Sequence, residues 1–342
     1  CNITNTFEDV VSLKDAYPRG ANLMKRALAE FPYTATLDWF SGRGVRFVEE
    51  DGGRIFPASQ NAMQIVDTLL DALDGVDIVC NKRIDSIPQT GIVVVSTGGG
   101  AGMDILRNLP VETEPPVPSL FAFNISDTPS GDRSSISSLM GLSCEVSLSL
   151  PGSNFRSSGP LLITDWGFSG PAALKLSSYA ARHLAECNYR SPVSVRWLDA
   201  PAEVLRLLRT NNPRKQLGSV HPERIPSRLW EYLLARFGVD FQQPWAECSN
   251  RILNILEQNL LCDTYFITSK CPFRDEFVSC GGVKLNSVNL KDLECKQRPG
   301  LYFTGEVLDI DAVTGGFNLQ AAWSTAHLVA KSIIKQYGTQ NI

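Results

Sequence analysis

Residues 305–320, GEVLDIDAVTGGFNLQ, gather the residue types that hold polar ligands. Gly305 and Glu306 come first, then Asp309, then Gly315, Gly316, Phe317, Asn318 and Gln320 at the head of a helical pattern. Carboxylates accept hydrogen bonds from hydroxyl groups, and glycines let a neighbour approach the backbone closely. A helix start turns the positive end of its dipole toward an anion or a polar ring. A second stretch of this kind is STGGG at 96–100, where Thr97, Gly98 and Gly99 follow the apolar run GIVVV. For STGGG a structural turn and a ligand loop are equally consistent. At 305–320 the alternative is a glycine turn with Asn318 and Gln320 as ordinary first-turn residues.

Other chemistries find little support. The three histidines (183, 221, 327) fall in no HxH or HxxxH spacing, and the nine cysteines include no CxxC, so neither a metal site nor a disulfide framework is expected. GFSGP lacks the GxSxG nucleophile pattern, and Ser169 reads as a helix cap. Cys280 reads as a packed thiol, His327 as packed or superficial, and Arg54 as structural or as an anion contact. Trp230, Tyr232 and Trp245 read as core. No acid–base pair stands out, so no catalytic residue is assigned.

The chain has 342 residues, 43% hydrophobic and 20% charged, with a net charge of -4. That is enough for two or three domains. No long Lys/Arg block appears, so nucleic acid is not an expected partner; a small molecule is. No apolar run reaches a membrane span, and CNITNTFEDV lacks the features of a signal peptide, so the expectation is cytoplasmic.

Periodicity supplies the frame. Helices are expected in RGANLMKRALAEF, ATLDWFSGRG and ASQNAMQIVDTLLDALDG, the last capped by Ser59 and packed through Met63, Val66, Leu70 and Leu73. VRFVEEDGGRIF reads as a hairpin, VDIVC as a short strand, and GIVVV as a strand buried on both faces of a parallel sheet. VPSLFAFNI, CEVSLSL, PLLITD and PVSVRWL read as antiparallel strands, and residues 200–261 as helices. After strands at TYFITS, EFVSCGGV and GLYFTGEVL, the last helix is expected to pack through Leu319, Trp323, Ala326, Val329 and Ile333.

PGLYFTGEVLDIDAVTGGFNLQAAWSTAHLVA resembles the C-terminal flavin-binding signature of the BaiN-like, aminoacetone-oxidase-like flavoproteins. These belong to the two-dinucleotide-binding-domain group related to glutathione reductase. CNITN, YPRGAN, GGRIFPAS, VVVSTGGG, GPLLITDWGFSGPAALKLS and FVSCGGVKLNSVNLKDLECK match further blocks over nearly the whole chain. The resemblance implies a discontinuous Rossmann-like α/β FAD-binding domain, glutathione-reductase-like, with an inserted antiparallel β-barrel-like domain and a helical subdomain. The expected boundaries are 1–112 and 281–342 for the FAD domain, 113–199 and 263–280 for the β-rich insert, and 200–262 for the helices.

It also implies roles. Glu306 would hydrogen-bond the ribityl or pyrophosphate region of FAD. Gly315, Gly316, Phe317 and Asn318 would pass the isoalloxazine ring, with Asn2 and Thr4 on its other flank. Thr97, Gly98 and Gly99 would border the adenosine-diphosphate half. Two departures matter. TDW stands in place of the family's Thr-His, and the GxGxxG pyrophosphate fingerprint is absent. The chain is thus expected to begin just downstream of that βα unit, to be abridged in other loops, and to lack its main anion cradle. The implied activity is an FAD-dependent oxidoreductase passing hydride to or from a small organic substrate, with NAD(P)H as a possible donor. Its rivals are a flavoprotein acting on RNA and a non-catalytic flavin-binding interaction protein.

Overall fold

The computed structural model describes residues 2–129, 135–270 and 278–338. The chain divides into two compact units, Cys1–Ser119 with Val278–Ile342, and Leu120–Phe277. The first unit begins with β1 (Thr4–Asn5), α1 (Leu13–Ala16), α2 (Ala21–Glu30), α3 (Tyr33–Ser41), β2 (Phe47–Glu50), β3 (Arg54–Pro57), α4 (Ala62–Asp71), β4 (Val93–Val95) and β5 (Thr113–Ser119). The second contains β6 (Phe123–Ser126), β7 (Ser143–Ser149), β8 (Arg156–Ile163), β9 (Gly167–Ser169), α5 (Gly170–Tyr179), α6 (Ala181–Glu186), β10 (Ser191–Arg196), α7 (Pro201–Asn211), α8 (Ser227–Arg236), α9 (Asn250–Leu261) and β11 (Asp263–Lys270). The chain then returns to the first unit with β12 (Val278–Val283), β13 (Leu301–Phe303) and α10 (Phe317–Tyr337). Among the described residues no helix is long and apolar enough to cross a membrane.

In the first unit the Asp-Gly-Gly hairpin forms as expected, with β2 and β3 antiparallel and β1 on the outer edge of β3. The decisive pairing is parallel: Val93, Val94 and Val95 lie opposite Leu301, Tyr302 and Phe303. It closes a discontinuous α/β unit, because a parallel pair needs a long crossover. β5 pairs antiparallel with β12, so residues 113–119 and 278–280 lie in this unit rather than with the insert.

Some local expectations differ from the structure. Val94 is 42% and Ile92 43% exposed, so β4 is not covered on both faces. α4 is capped by Asn61, whose side chain accepts from the Met63 N–H; Ser59 instead donates to Gln64. It packs through Ile65 and Leu69, while Met63, Val66, Leu70 and Leu73 are exposed. VDIVC forms no strand. VPSLFAFNI splits into β5 and β6 at Leu120, which takes a left-handed φ of 59°.

The second unit is a closed barrel in the order β10-β11-β6-β9-β8-β7. Alternation fills it: Cys144, Val146 and Leu148 of β7 are buried, as are Leu161 and Ile163 of β8 and Val193 and Val195 of β10. α8 and α9 add Leu229, Trp230, Leu233, Leu253, Leu256 and Leu260 to the same core. Trp230 and Trp245 are fully buried and donate to Leu217 O and Val220 O, as core tryptophans must.

A charged clamp joins helix to barrel. Arg236 donates to Asp263 (2.9 Å), Asp127 (2.7 Å) and Thr264 O (2.9 Å), and its guanidinium lies over the Tyr265 ring. The Trp197 indole donates to the other Asp263 oxygen at 3.0 Å. Burial pushes the Asp263 carboxyl above its ordinary range, and Arg236 draws it back down. Removing one partner of such a pair strands a buried charge. Arg236→Leu is expected to lose about 3–5 kcal/mol in urea unfolding at neutral pH. A carboxyl with a raised folded pKa opposes folding when ionised, so the loss should shrink as pH falls and Asp263 takes up a proton. An equal loss at all pH values would contradict this account.

Candidate functional site

The carboxyl ends of β4 and β13 lie side by side, and each runs into glycine. Leaving β13, Thr304 N donates to Val95 O at 3.1 Å, which carries the parallel register one residue further. Thr325 of α10 holds the turn that follows. Its hydroxyl donates to Ala321 O (2.6 Å) and accepts from the Thr304 hydroxyl (2.9 Å) and the Gly305 N–H (3.0 Å). Gly305 takes φ 72° there. Glu306 is then placed between the strands: its Oε1 accepts from Ser279 N at 2.8 Å. Gly98 (φ 72°) and Gly99 pass alongside. A Cβ added at Gly99 would lie 3.0 Å from Oε1 and 2.7 Å from Ser279, and one at Gly98 would lie 3.9 Å from Oε2. The structure thus brings Gly98, Gly99, Gly305 and Glu306 together, with Thr97 exposed beside them. The half-buried carboxylate has one oxygen fixed by a backbone amide. Its Oε2 has no hydrogen-bond partner among the described residues.

The mouth of α10 is built against β1. Gly316, the N-cap, takes φ 93°, and a Cβ there would fall 2.4 Å from Thr4 O. At Gly315 (φ 131°) a Cβ would meet the Phe317 ring at 2.8 Å. Both glycines are therefore explained by protein packing: the group approaching closely is the Thr4 backbone. Gln320 is fully buried. Its carboxamide accepts from Thr4 Oγ1 (2.5 Å) and Thr36 Oγ1 (3.0 Å) and donates to Ser324 Oγ (2.9 Å) and Phe31 O (3.3 Å), which leaves it nothing to offer outward. Asn318 folds back to clasp Ala312, donating to its carbonyl (3.0 Å) and accepting from its amide (2.9 Å). Asp309 is half-buried, with its amide on Val283 O at 2.9 Å. Asn2 is half-buried ahead of β1.

Several residues at this mouth carry no sequence assignment. Asn5 donates to Gly315 O (3.1 Å) and Gly52 O (2.9 Å). Tyr17, whose ionisation burial suppresses, donates to Phe317 O at 2.9 Å. Arg19 forms a two-pronged pair with the buried Asp311, which also accepts from Ser119 Oγ at 3.0 Å. The ring of Phe317 packs edge-on against Phe7 and Tyr17, 5.1 and 6.1 Å away. Asn5 and Arg19 lie inside the quoted blocks CNITN and YPRGAN, which was the available signal. Elsewhere His327 stacks on Phe31, Cys280 is buried in β12, and Arg54 donates to Asp51 O, all of them structural contacts. Ser169 occupies the N-cap of α5 but makes no capping bond. No metal-holding group of His, Cys, Asp or Glu occurs among the described residues.

The model of the HI0933-like protein Rossmann domain matches residues 1–332. The chain belongs to this family. Among curated relatives, a ribosomal RNA dihydrouridine synthase of Escherichia coli (strain K12) is 27% identical over 366 aligned residues, covering 98% of this chain and 86% of that protein. A second protein of that name, from Haemophilus influenzae, is 26% identical, covering 98% and 88%. A 3-dehydro-bile acid delta(4,6)-reductase of Clostridium scindens is 24% identical, covering 97% and 87%. The architecture is accordingly a Rossmann-like α/β domain with a six-stranded closed barrel in its insert.

In open α/β sheets, ligands bind beyond the carboxyl ends of parallel strands. In this chain Gly98, Gly305 and Glu306 meet at the carboxyl ends of β4 and β13. The donor set there suits the hydroxylated arm of a dinucleotide. A carboxylate with a free oxygen accepts from sugar hydroxyls, and a 21-residue helix with no side-chain cap presents its amide end to negative charge. GxGxxG does not occur in residues 1–342. Gly316→Ala tests the mouth. A left-handed alanine against the Thr4 carbonyl is expected to cost at least about 2 kcal/mol. The readout is the urea midpoint, and an unchanged midpoint would contradict the packing explanation.

Proposed function

We propose that this protein is an FAD-dependent oxidoreductase of the glutathione-reductase-like, two-dinucleotide-binding-domain kind, which saturates a carbon–carbon double bond with hydride delivered by NAD(P)H. The observation that carries the reading is the half-buried Glu306 carboxylate between two glycine-ended parallel strands. The relatives support the bond type: a dihydrouridine is a uridine with its ring double bond saturated, and a delta(4,6)-reductase saturates carbon–carbon double bonds. FAD, when bound, would supply the hydride-transfer chemistry between donor and substrate, with the proton that completes saturation coming from solvent.

The chain's own residues position the cofactor. Glu306 accepts from its sugar-chain hydroxyls, held in place by the Ser279 amide. Gly98 lets the adenosine half run close to the backbone, while Gly99 makes room for Ser279 and Glu306. The amide end of α10 stabilises negative charge at the pyrimidine edge of the ring, and the buried Thr4 and Phe317 pack behind it as part of the frame. Gln320 and Asn318 act as braces of this frame. A small conjugated carbonyl compound is the proposed substrate. A uracil base in RNA is the second reading, favoured by the relatives from Escherichia coli and Haemophilus influenzae.

The purified protein is expected to be yellow, with the visible absorbance of an oxidised flavin, or to become so on incubation with FAD. A preparation that neither carries nor takes up FAD would refute the reading. In Glu306→Gln, a charge-assisted hydrogen bond becomes a neutral one, so FAD affinity is expected to fall about ten-fold. Titration of the flavin-stripped variant checks this, and unchanged affinity would remove Glu306 from the site.

A further inference from the structure

The second unit holds a cleft of about 720 Å3 on the outer wall of its barrel. Three residues in register form its floor: Arg196 of β10 lies opposite Ser147 of β7, which lies opposite Ser158 of β8. They face outward because the neighbours Val146, Leu148 and Val195 point into the core. The two serine hydroxyls are 2.9 Å apart, so one proton lies between them and the other is free to donate outward. Arg224, from the segment ahead of α8, lines the same cleft, as do Glu145 and Asp199.

Both arginines are exposed, and among the described residues neither side chain has an ion-pair or hydrogen-bond partner, although two carboxylates share the cleft. Two guanidinium groups and a hydroxyl lining one cleft are the donor types that bind a phosphate. Unpaired carboxylates nearby match donors that inorganic phosphate does not have, such as ribose 2′-hydroxyls and base amino groups. The stretch of sequence that supplies Arg224 is itself basic. Residues 204–228 contain six Lys/Arg and one Glu, although the whole chain is at -4.

We propose that this cleft, with the basic segment 204–228, binds the ribose–phosphate backbone of an RNA strand. For its choice of partner it rests on the RNA reading above, and it assigns that partner a place on this chain. The phosphodiester lies between Arg196 and Arg224, and the carboxylates of Glu145 and Asp199 accept from the ribose and base.

The test is fluorescence anisotropy of a labelled oligoribonucleotide hairpin, titrated with flavin-loaded protein over a range of salt concentrations. The wild type is expected to bind, and the Arg196→Ala/Arg224→Ala double variant to bind about ten-fold more weakly. Its slope of log affinity on log salt should become shallower by about 0.7, the value for the one phosphate no longer neutralised. Arg196→Lys/Arg224→Lys, which keeps the charge, is expected to restore most of that slope. Arg251→Ala, an exposed arginine of α9, is expected to change nothing. The proposal is overturned by a wild type that ignores the hairpin, by a double variant that binds as well as wild type, or by an equal loss in Arg251→Ala. It is also overturned if adenosine monophosphate displaces the hairpin at equal concentration, which would mark a nucleotide pocket. Thermal midpoints establish that the variants fold. Flavin absorbance read in the same samples keeps a failure of RNA binding separate from a failure of the flavin reading.

Discussion

The first unit hangs on one buried carboxamide. Gln320 is fully excluded from solvent, yet both of its polar atoms are satisfied, by Thr4, Thr36, Ser324 and the Phe31 carbonyl. Those partners come from the first strand, from α3, from the turn before it and from α10 itself. A buried polar network of this kind holds only when complete, because each group left unpaired costs about 1–3 kcal/mol. It fixes the axial position and rotation of α10. That in turn sets Gly316 against Thr4 at one end and brings the Thr325 hydroxyl under Gly305 further along the helix. The position of Glu306 follows from that turn. Residues more than 300 apart in sequence thereby determine where a carboxylate stands at the end of β13.

This dependence explains which features sequence periodicity could and could not find. The hairpin at 47–57, the alternating barrel strands and the stripes of α8 and α9 are legible because one face of each is apolar. The buried face of α10 is mixed. Its buried positions include Gln320, Ser324 and Thr325 beside Ala321, Leu328 and Val329, while Ala326, expected inside, is exposed. A search for hydrophobic spacing finds Val329 and misses the polar positions. α4 shows the opposite failure. It has two apolar flanks, and the one that packs, through Ile65 and Leu69, is the less regular in sequence. The short stretch VDIVC has strand composition without a ladder to join. Composition states a preference, and pairing decides it.

Glycine at a strand end has two physical uses, and the structure separates them. At Gly315 and Gly316 the space that a methyl group would need is already filled, by Phe317 and by the Thr4 carbonyl. At Gly100 nothing lies within 4 Å of an added Cβ, and at Gly98 the nearest atom is the unpartnered Glu306 Oε2, 3.9 Å away. The first pair is needed by the fold. The second group follows a parallel strand and borders a carboxylate oxygen still able to accept. Sequence alone treats the two groups alike, because both read as glycine beside polar residues. The proposed ligand contacts therefore rest on Thr97, Gly98, Gly305 and Glu306, and Gly99, whose Cβ space Ser279 fills, belongs with the first pair. The residues of α10 become the frame that holds that second group in place.

Charge follows the same logic of position over total. A net charge of -4 speaks against nonspecific attraction of a polyanion by the molecule as a whole. It says little about a single cleft, because exposed charges separated by more than about 8–10 Å are largely screened at physiological salt. What a phosphate meets is the local set: two guanidinium groups in a concave wall, neither neutralised by an ion pair among the described residues. By contrast the half-buried Arg236 is engaged by Asp127, Asp263 and the Tyr265 ring, which is how an arginine that serves the fold is treated. Arg196 and Arg224 lack such partners, and the fold does not account for them. Their availability in a cleft that also offers hydroxyl and carboxylate groups is the chemical ground for assigning them to a partner outside the chain.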